Sequence, residues 1–505
     1  MALVAAVIAL VVYTRTMLPG VGFWDTGEFQ TVAAVLGIAH PTGYPLYTLL
    51  GKLFTVWPWG SMAYRVSLMS ALSAALAVGG LVLLLGRLRV NLWLALSAAL
   101  GFAFSVNVWG TANRADPHTL HAAIVAGLWL LAWRWGESGD RRFLWGLALG
   151  AGLGLGNHML MVMELPALGL YALLSRPRDF VRPQALGLSL LFGTLGLCVY
   201  AYIPLRAMME PPLSYAHPTT WERFKYLVLA EQFQGGMGFL SLAGLRALIA
   251  RLPEVMGWYA DWLTVPGRAL LFGLACGGFG SLFMRNRRLA LCMALGALIP
   301  FYAASTYVNA DLSRYYIVPN WLLFAFAAMG ADELLALWKE WRGTQAHTRT
   351  AMLLAVATLV LPFLLLDTNW KKVDQHQNRD AERYEQATLA AVKPGAVIIS
   401  WWSFSTPLWY GRYVEGRRPD VEIIDDSDIV SQRLGDVMGA IASRYPKRPV
   451  YLIHFPDMIG RIRPYYRLDR LPPLNNYGQD TYEVVGRTDV PLPPPSTAAN
   501  VLPPL

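Results

Sequence analysis

"GFWDTGEFQTVAAVLGIAHPTGYPLY", Gly22 to Tyr47, places two acids, a histidine and a series of Gly/Pro turn residues directly behind the apolar run Ala2–Met17. Ionisable groups next to a bilayer-length apolar segment are costly unless they are used or locally satisfied. Asp25 and Glu28 stand three residues apart, so a helix over this stretch sets both carboxylates on one face. One reading is acid–base chemistry, because a carboxylate at a low-dielectric boundary holds its proton more tightly and serves as a base. The other reading is local: Asp25 caps a helix and Glu28 completes a capping box. The turn "HPTGYP" (His40–Pro45) is open in the same way, as part of a site or as punctuation before an interfacial helix.

The rest of the chain supplies the membrane. Of 505 residues, 55% are hydrophobic and only 15% charged, a composition outside the range of soluble domains. Eleven windows are apolar enough to be read as crossings: Ala2–Met17, Val66–Leu85, Leu92–Trp109, Leu120–Trp135, Phe143–Gly154, Met159–Leu174, Ala185–Ile203, Val265–Met284, Leu289–Tyr307, Val318–Leu337 and Ala351–Leu366. The first lacks the basic n-region and small-residue cleavage site of a signal peptide, so it reads as a membrane helix. Basic clusters (Arg87/Arg89, Arg134/Arg141/Arg142, Arg176/Arg178/Arg182, Arg285/Arg287/Arg288, Lys339/Arg342/Arg349) fall in every second loop. The positive-inside rule makes those loops cytoplasmic, and the net charge of +9 becomes a topology signal rather than a nucleic-acid footprint.

The alternate segments then face outward. They hold Asp25 and Glu28, Asp116 and His118, Asn157 and His158, the stretch from Arg206 to Trp262, and Asp311 with Arg314. Tyr44–Trp59 and "LSLAGLRALIARL" (Leu240–Leu252) have the pattern of surface helices. The predicted domains are a membrane region 1–366, an outward α/β domain 367–485 and a Pro-rich tail 486–505. Strands are expected at Ala396–Ser400, Val421–Ile424 and Val450–Phe455, with a helix over Val437–Ser443. Cys198, Cys276 and Cys292 all lie in apolar runs and are expected in packed interior.

"NRADPHTLH" (Asn113–His121), "GNH" (Gly156–His158) and "NADLSRYY" (Asn309–Tyr316) repeat the pattern of the opening stretch, with polar groups at outward helix ends. Asp116 reads as a site residue or as an N-cap assisted by Pro117. Arg314 suits phosphate, whose oxygens match a guanidinium fork, or a lipid headgroup. His158 reads as a phosphate partner or as a singly hydrogen-bonded histidine. There is no P-loop, no GxGxxG after a strand, no HExxH and no GxSxG. Three histidines and two carboxylates on separate loops are not diagnostic of a metal, and neither metal nor cofactor is expected.

"WDTGEFQTVAAVLGIAHPTGYPLYTLLGKLF" resembles the first outward loop of the DUF2723 / TMEM260-like family of GT-C fold glycosyltransferases. "WGTANRADPHTLHAAIVA" is similar to its second outward loop, with Asp116 where glutamate is expected. "YAYIPLRAMMEPPLSYAHPTTWERFKYLVLAEQF", "DLSRYYIVPNW" and "PLWYGRYVEGRRPDVEII" resemble later segments. The resemblance implies a polytopic helical GT-C fold that moves a sugar, with inversion, from a polyprenyl-phosphate donor to an acceptor hydroxyl of protein, glycan or lipid. It implies Asp25 as the catalytic carboxylate with Glu28 as helper. Cations or donors for the leaving phosphate are His40, His158, Arg314, Tyr315 and, more weakly, Arg206. Asp116, His118, Tyr44 and Asn113 are the acceptor or second-loop candidates. The expected setting is a prokaryotic plasma membrane with the site on the extracytoplasmic side, and no nucleic-acid partner. Two rivals remain at this level: a lipid-linked sugar transporter or flippase, and a noncatalytic platform whose outer domain binds a partner.

Overall fold

The computed structural model describes residues 1–236, 265–307, 311–342, 347–425, 436–473 and 480–493, together with a few residues between 242 and 250. About half of the segment "LSLAGLRALIARL" and most of the Pro-rich tail lie outside the described residues.

Every window read as a crossing is helical, because an apolar run with no water available must satisfy its backbone internally. Among the described residues, five stretches are long and apolar enough to span a bilayer: Met62–Arg87, Pro183–Ala207, Arg287–Thr306, Leu312–Trp341 and Met352–Val373. Leu92–Ala103 and Val106–Ala112 form a sixth only if counted as one span bent by 66°. Ala2–Arg15 and Met161–Ser175 are shorter apolar helices. The eleven expected windows thus fall on full-length apolar crossings, on short or bent helices, and on helices such as Pro117–Ser138, which is 22 residues long but less apolar. Leu190, Leu298 and Phe363 are exposed on the outer faces of such helices, the arrangement lipid requires. Cys198 and Cys276 are exposed too, against the expectation of packed interior, and only Cys292 is buried.

By contacts the chain divides into two compact units. The first comprises Met1–Met17, Leu68–Tyr200 and Phe233–Gln375. Its helices Val265–Arg285 and Ile317–Arg342 cross at Gly278 and Gly330. A Cβ on Gly278 would lie 1.8 Å from the Phe326 carbonyl, and one on Gly330 1.9 Å from that of Leu274. Close backbone approach at small residues is how membrane helices associate without a hydrophobic driving force.

The second unit comprises Leu18–Ser67, Ala201–Gln232 and His376–Leu505. It contains a five-stranded sheet: β1 (Val397–Ser400), β2 (Glu422–Asp425), β3 (Val450–Ile453), β4 (Tyr466–Arg470) and β5 (Thr481–Arg487), in the order β2-β1-β3-β5-β4. β1 is parallel to both β2 and β3, and β5 runs antiparallel to β3 and β4. Val397, Ile399, Ile424, Val450, Leu452, Ile441 and Tyr466 form its core. The three expected strands are present, displaced by one or two residues at their ends, and the expected helix Val437–Ser443 is where its pattern places it. The antiparallel pair β4–β5 was not expected, since its half-exposed strands lack the continuous apolar run that marks a buried one.

Candidate functional site

Within Gly22–Tyr47, helix Trp24–Val35 lies in the second unit. Its carboxylates sit in the first turns, where the helix dipole favours negative charge. Arg206 donates to the carbonyls of Leu36 (2.6 Å) and Val35 (3.2 Å), and Lys52 Nζ donates to that of Ala34. Both cations therefore complete the opposite end of the helix. Arg206, a candidate for phosphate, is committed instead to the orphan carbonyls there.

Asp25 is not a cap. The N-cap is Phe23, which makes no side-chain capping bond, and Asp25 Oδ1 accepts a hydrogen bond from Trp402 Nε1 at 3.0 Å. Glu28 is not part of a capping box either. Its Oε1 accepts from the His40 backbone N–H at 2.7 Å, and its Oε2 contacts His40 Nδ1. The Tyr44 hydroxyl lies 3.3 Å from His40 Nε2, which extends the chain to Glu28–His40–Tyr44. Phe29 packs against both rings. Burial raises the Glu28 carboxyl above its ordinary range, and the contacts with His40 only partly oppose this. Gly27, between the two acids, is dictated by packing. A Cβ there would meet the Gly22 carbonyl at 2.4 Å and Thr406 Oγ1 at 3.0 Å, so only glycine lets this helix cross helix Trp402–Tyr413 so closely.

A second cluster belongs to the first unit. Asp116 does cap helix Pro117–Ser138, accepting from the His118 backbone N–H at 2.9 Å, with Pro117 at the first helical position. The same carboxylate also meets His118 Nδ1 at 2.8 Å through Oδ1 and Arg314 Nη1 at 3.1 Å through Oδ2. Asp116 thus fills the capping position and pairs with Arg314 as well. Burial works to raise the Asp116 carboxyl, but His118 and Arg314 outweigh it and hold the group below the usual carboxylate range. The His118 ring centroid lies 4.5 Å from that of His158 and 4.8 Å from that of Tyr315. His158 closes the end of helix Arg141–Asn157, and its Nδ1 accepts from the Leu160 N–H at 3.0 Å. Beside the pair, Arg114 and Asp311 form an ion pair at 2.8 Å.

Asn113 does not join this group. Its side-chain amide donates to the carbonyls of Thr16 (3.3 Å) and Val373, which ties three segments together. Two other residues escaped the sequence reading. His121 lies three residues from His118 on one helix face, with its ring 6.2 Å from that of His158; the i, i+3 spacing was the available signal. Trp402 offered only its place in "SWWSF", since a hydrogen bond across 377 residues leaves no local pattern. Among the described residues, no group of three or more His, Cys, Asp or Glu side chains is arranged to hold a metal.

Residues 25–180, which carry the first acid, the second-loop cluster and the helices between them, match the Protein O-mannosyl-transferase TMEM260 N-terminal domain family. Along this stretch the chain is similar to that family. It is 27% identical over 440 residues to mouse Protein O-mannosyl-transferase TMEM260, a match covering 82% of this chain and 61% of the relative. The Dictyostelium discoideum protein of the same name is 22% identical over 458 residues, covering 82% and 55%. The chain therefore spans about six tenths of the length of these relatives. Among solved structures, ArnT from Cupriavidus metallidurans in the apo state superposes with a TM-score of 0.59 at 14% identity, over 95% of this chain and 97% of the other. The same enzyme bound to undecaprenyl phosphate gives 0.56 at 13% identity, with the same coverage. The fold is that of the GT-C membrane enzymes, as the resemblance implied.

Proposed function

We propose that this protein is a membrane glycosyltransferase that moves a sugar, with inversion, from a polyprenyl-phosphate donor to an acceptor hydroxyl. The observation that carries the reading is Asp25: a partly exposed carboxylate held by Trp402 next to the buried Glu28–His40–Tyr44 chain. The names of the mouse and Dictyostelium relatives support a mannosyl donor and a protein acceptor. The capture of undecaprenyl phosphate by an enzyme of the same fold supports a lipid-linked donor.

In this mechanism Asp25 accepts the proton of the acceptor hydroxyl as its oxygen bonds to the anomeric carbon. The bond from that carbon to the phosphate oxygen breaks on the opposite face, and the lipid phosphate leaves with its electron pair. Glu28 and His40 hold the turn that follows the helix. The second cluster has the chemistry to receive a phosphate, with the Arg314 guanidinium and the His118 and His158 rings gathered about one carboxylate that orients them. Tyr315 lies against both rings.

The test is mass spectrometry of purified enzyme incubated with a panel of polyprenyl-phosphate sugars and peptide or glycan acceptors. A mass gain of one sugar on an acceptor, with release of lipid phosphate, is expected. An intact donor under all conditions, with donor crossing between vesicle leaflets, assigns the chain to transport instead. We further propose that the site faces the extracytoplasmic side. A cysteine placed at Ser313 is expected to react with an impermeant thiol reagent in sealed cells, and one at Ser138 is not; labelling at Ser138 overturns that orientation.

A further inference from the structure

We infer that Trp402, at the mouth of the α/β sheet, is a positioning residue for Asp25, so that the sheet is a working part of the transferase site. This rests on the reading of Asp25 as the base. β1 is the sheet's central parallel strand, flanked by β2 and β3, and the chain leaves its carboxyl end at Ser400 and turns through Trp401 into helix Trp402–Tyr413. Carboxyl ends of parallel strands are where α/β sheets deliver functional side chains. The turn is fixed: Trp401 N–H donates to Ile453 O at 3.0 Å, and Phe404 N–H to Trp401 O at 2.8 Å.

Two contacts then lock this helix to the segment bearing the acid, and a third ties it to the start of helix Met62–Arg87. Gly27 admits Thr406 without a side chain between them. The Phe23 ring packs on Phe404 with centroids 6.2 Å apart. The Tyr410 hydroxyl accepts from the Ala63 N–H at 3.0 Å. The indole N–H that reaches Asp25 is therefore delivered from a rigid element. The same ring meets His40 edge-on with centroids 5.6 Å apart, so one side chain touches both the base and the dyad behind it. Fixing Oδ1 sets the direction in which the rest of the carboxylate points, and a donor to the ionised form favours the state that accepts a proton.

A purely structural tryptophan would contribute packing alone. The experiment separates the two with Trp402→Phe, which keeps an aromatic ring and removes the N–H. Trp409→Phe serves as the control, since its Nε1 donates to the Ile423 carbonyl at 3.4 Å and not to Asp25. Loss of a hydrogen bond to a charged group predicts kcat down by roughly 10- to 100-fold in Trp402→Phe, with KM for donor and acceptor within about twofold. The acidic limb of its pH–rate profile moves to higher pH, and Trp409→Phe keeps the wild-type profile. Should Trp402→Phe fail to fold, a tryptophan analogue at position 402 with sulfur in place of the indole N–H preserves the shape and is expected to give the same shift.

Asp25→Asn is assayed alongside. If Asp25→Asn is inactive while the position-402 variants match wild type in kcat and pH profile, the assignment of Trp402 is overturned and the base remains. If Asp25→Asn turns over normally, the base itself is wrong and the inference falls with it. Equal losses in Trp402→Phe and Trp409→Phe with no movement of the pH profile reduce Trp402 to packing, which also overturns it.

Discussion

The two polar clusters differ in their balance of charge. In the second unit, the carboxylates Asp25 and Glu28 are held by an indole, a histidine and, through that histidine, a phenol. In the first unit, a single carboxylate, Asp116, is surrounded by a guanidinium and imidazoles. The first arrangement can take up a proton; the second can hold an anion. The contrast between them is the most direct route to testing the proposed function.

The largest expected effect breaks the first cluster. Asp25→Asn is nearly isosteric and keeps an acceptor oxygen for Trp402, yet it cannot take a proton. Turnover is expected to fall by about 10²–10⁴-fold, read in single-turnover assays, with donor affinity retained. The capping alternative forecast no loss, since asparagine caps as well as aspartate. Next in size is Arg314→Ala in the second cluster, expected to weaken donor binding by about 1.5–3 kcal/mol, the range for hydrogen bonds to charged groups. Lysine recovers part of this, because it keeps the charge and loses the fork. Unchanged affinity for a polyprenyl-phosphate sugar in Arg314→Ala would move the phosphate site elsewhere.

Glu28→Gln sharpens the contrast inside the first cluster. It removes the charge that faces His40 but not the oxygen that accepts the His40 backbone N–H. A loss of about tenfold or less in kcat is expected, in keeping with an ordinary hydrogen bond. A loss as large as that of Asp25→Asn would reassign the base.

The smallest effect concerns a buried acid of the same unit outside the cluster. Glu385 pairs with Arg417, and burial pushes its carboxyl up to about 7, although Arg417 lowers it in part. The folded state then holds this proton up to about pH 7, whereas an unfolded chain releases it near 4.5. The associated stability is present at low pH and is lost as pH rises through that window, by about 1–3 kcal/mol. The melting midpoint of the wild type is expected to fall between pH 5 and 8, and Glu385→Gln to flatten that slope while leaving the acidic limb of the transfer reaction in place.

Sequence reading located the acids of the first cluster as a pair with a local and a functional reading open, and in the structure neither acid makes the local capping bond. Helix Trp24–Val35 begins two residues too early for Asp25 to cap it, and Trp402 takes the carboxylate that a cap would have used. For Asp116 packing kept both roles, since the N-cap geometry leaves Oδ2 to meet Arg314. Arg206 and Asn113 look like site residues in sequence because charge and polarity at a helix end are visible there, whereas the carbonyls that claim them are not.

What the sequence determined by itself is what rests on local periodicity and on the length of apolar runs: the membrane helices, the three buried strands, and the positions where ionisable groups interrupt the apolar runs. What only the tertiary structure decided is which distant groups meet. Asp25 and Trp402 lie 377 residues apart, and Arg314 and Asp116 lie 198 apart. Such pairings depend on how whole elements pack, through a missing Cβ at Gly27 or the crossing of two helices, and no window of sequence contains both partners. The energies that select them are long-range packing terms, added only once the local elements already exist.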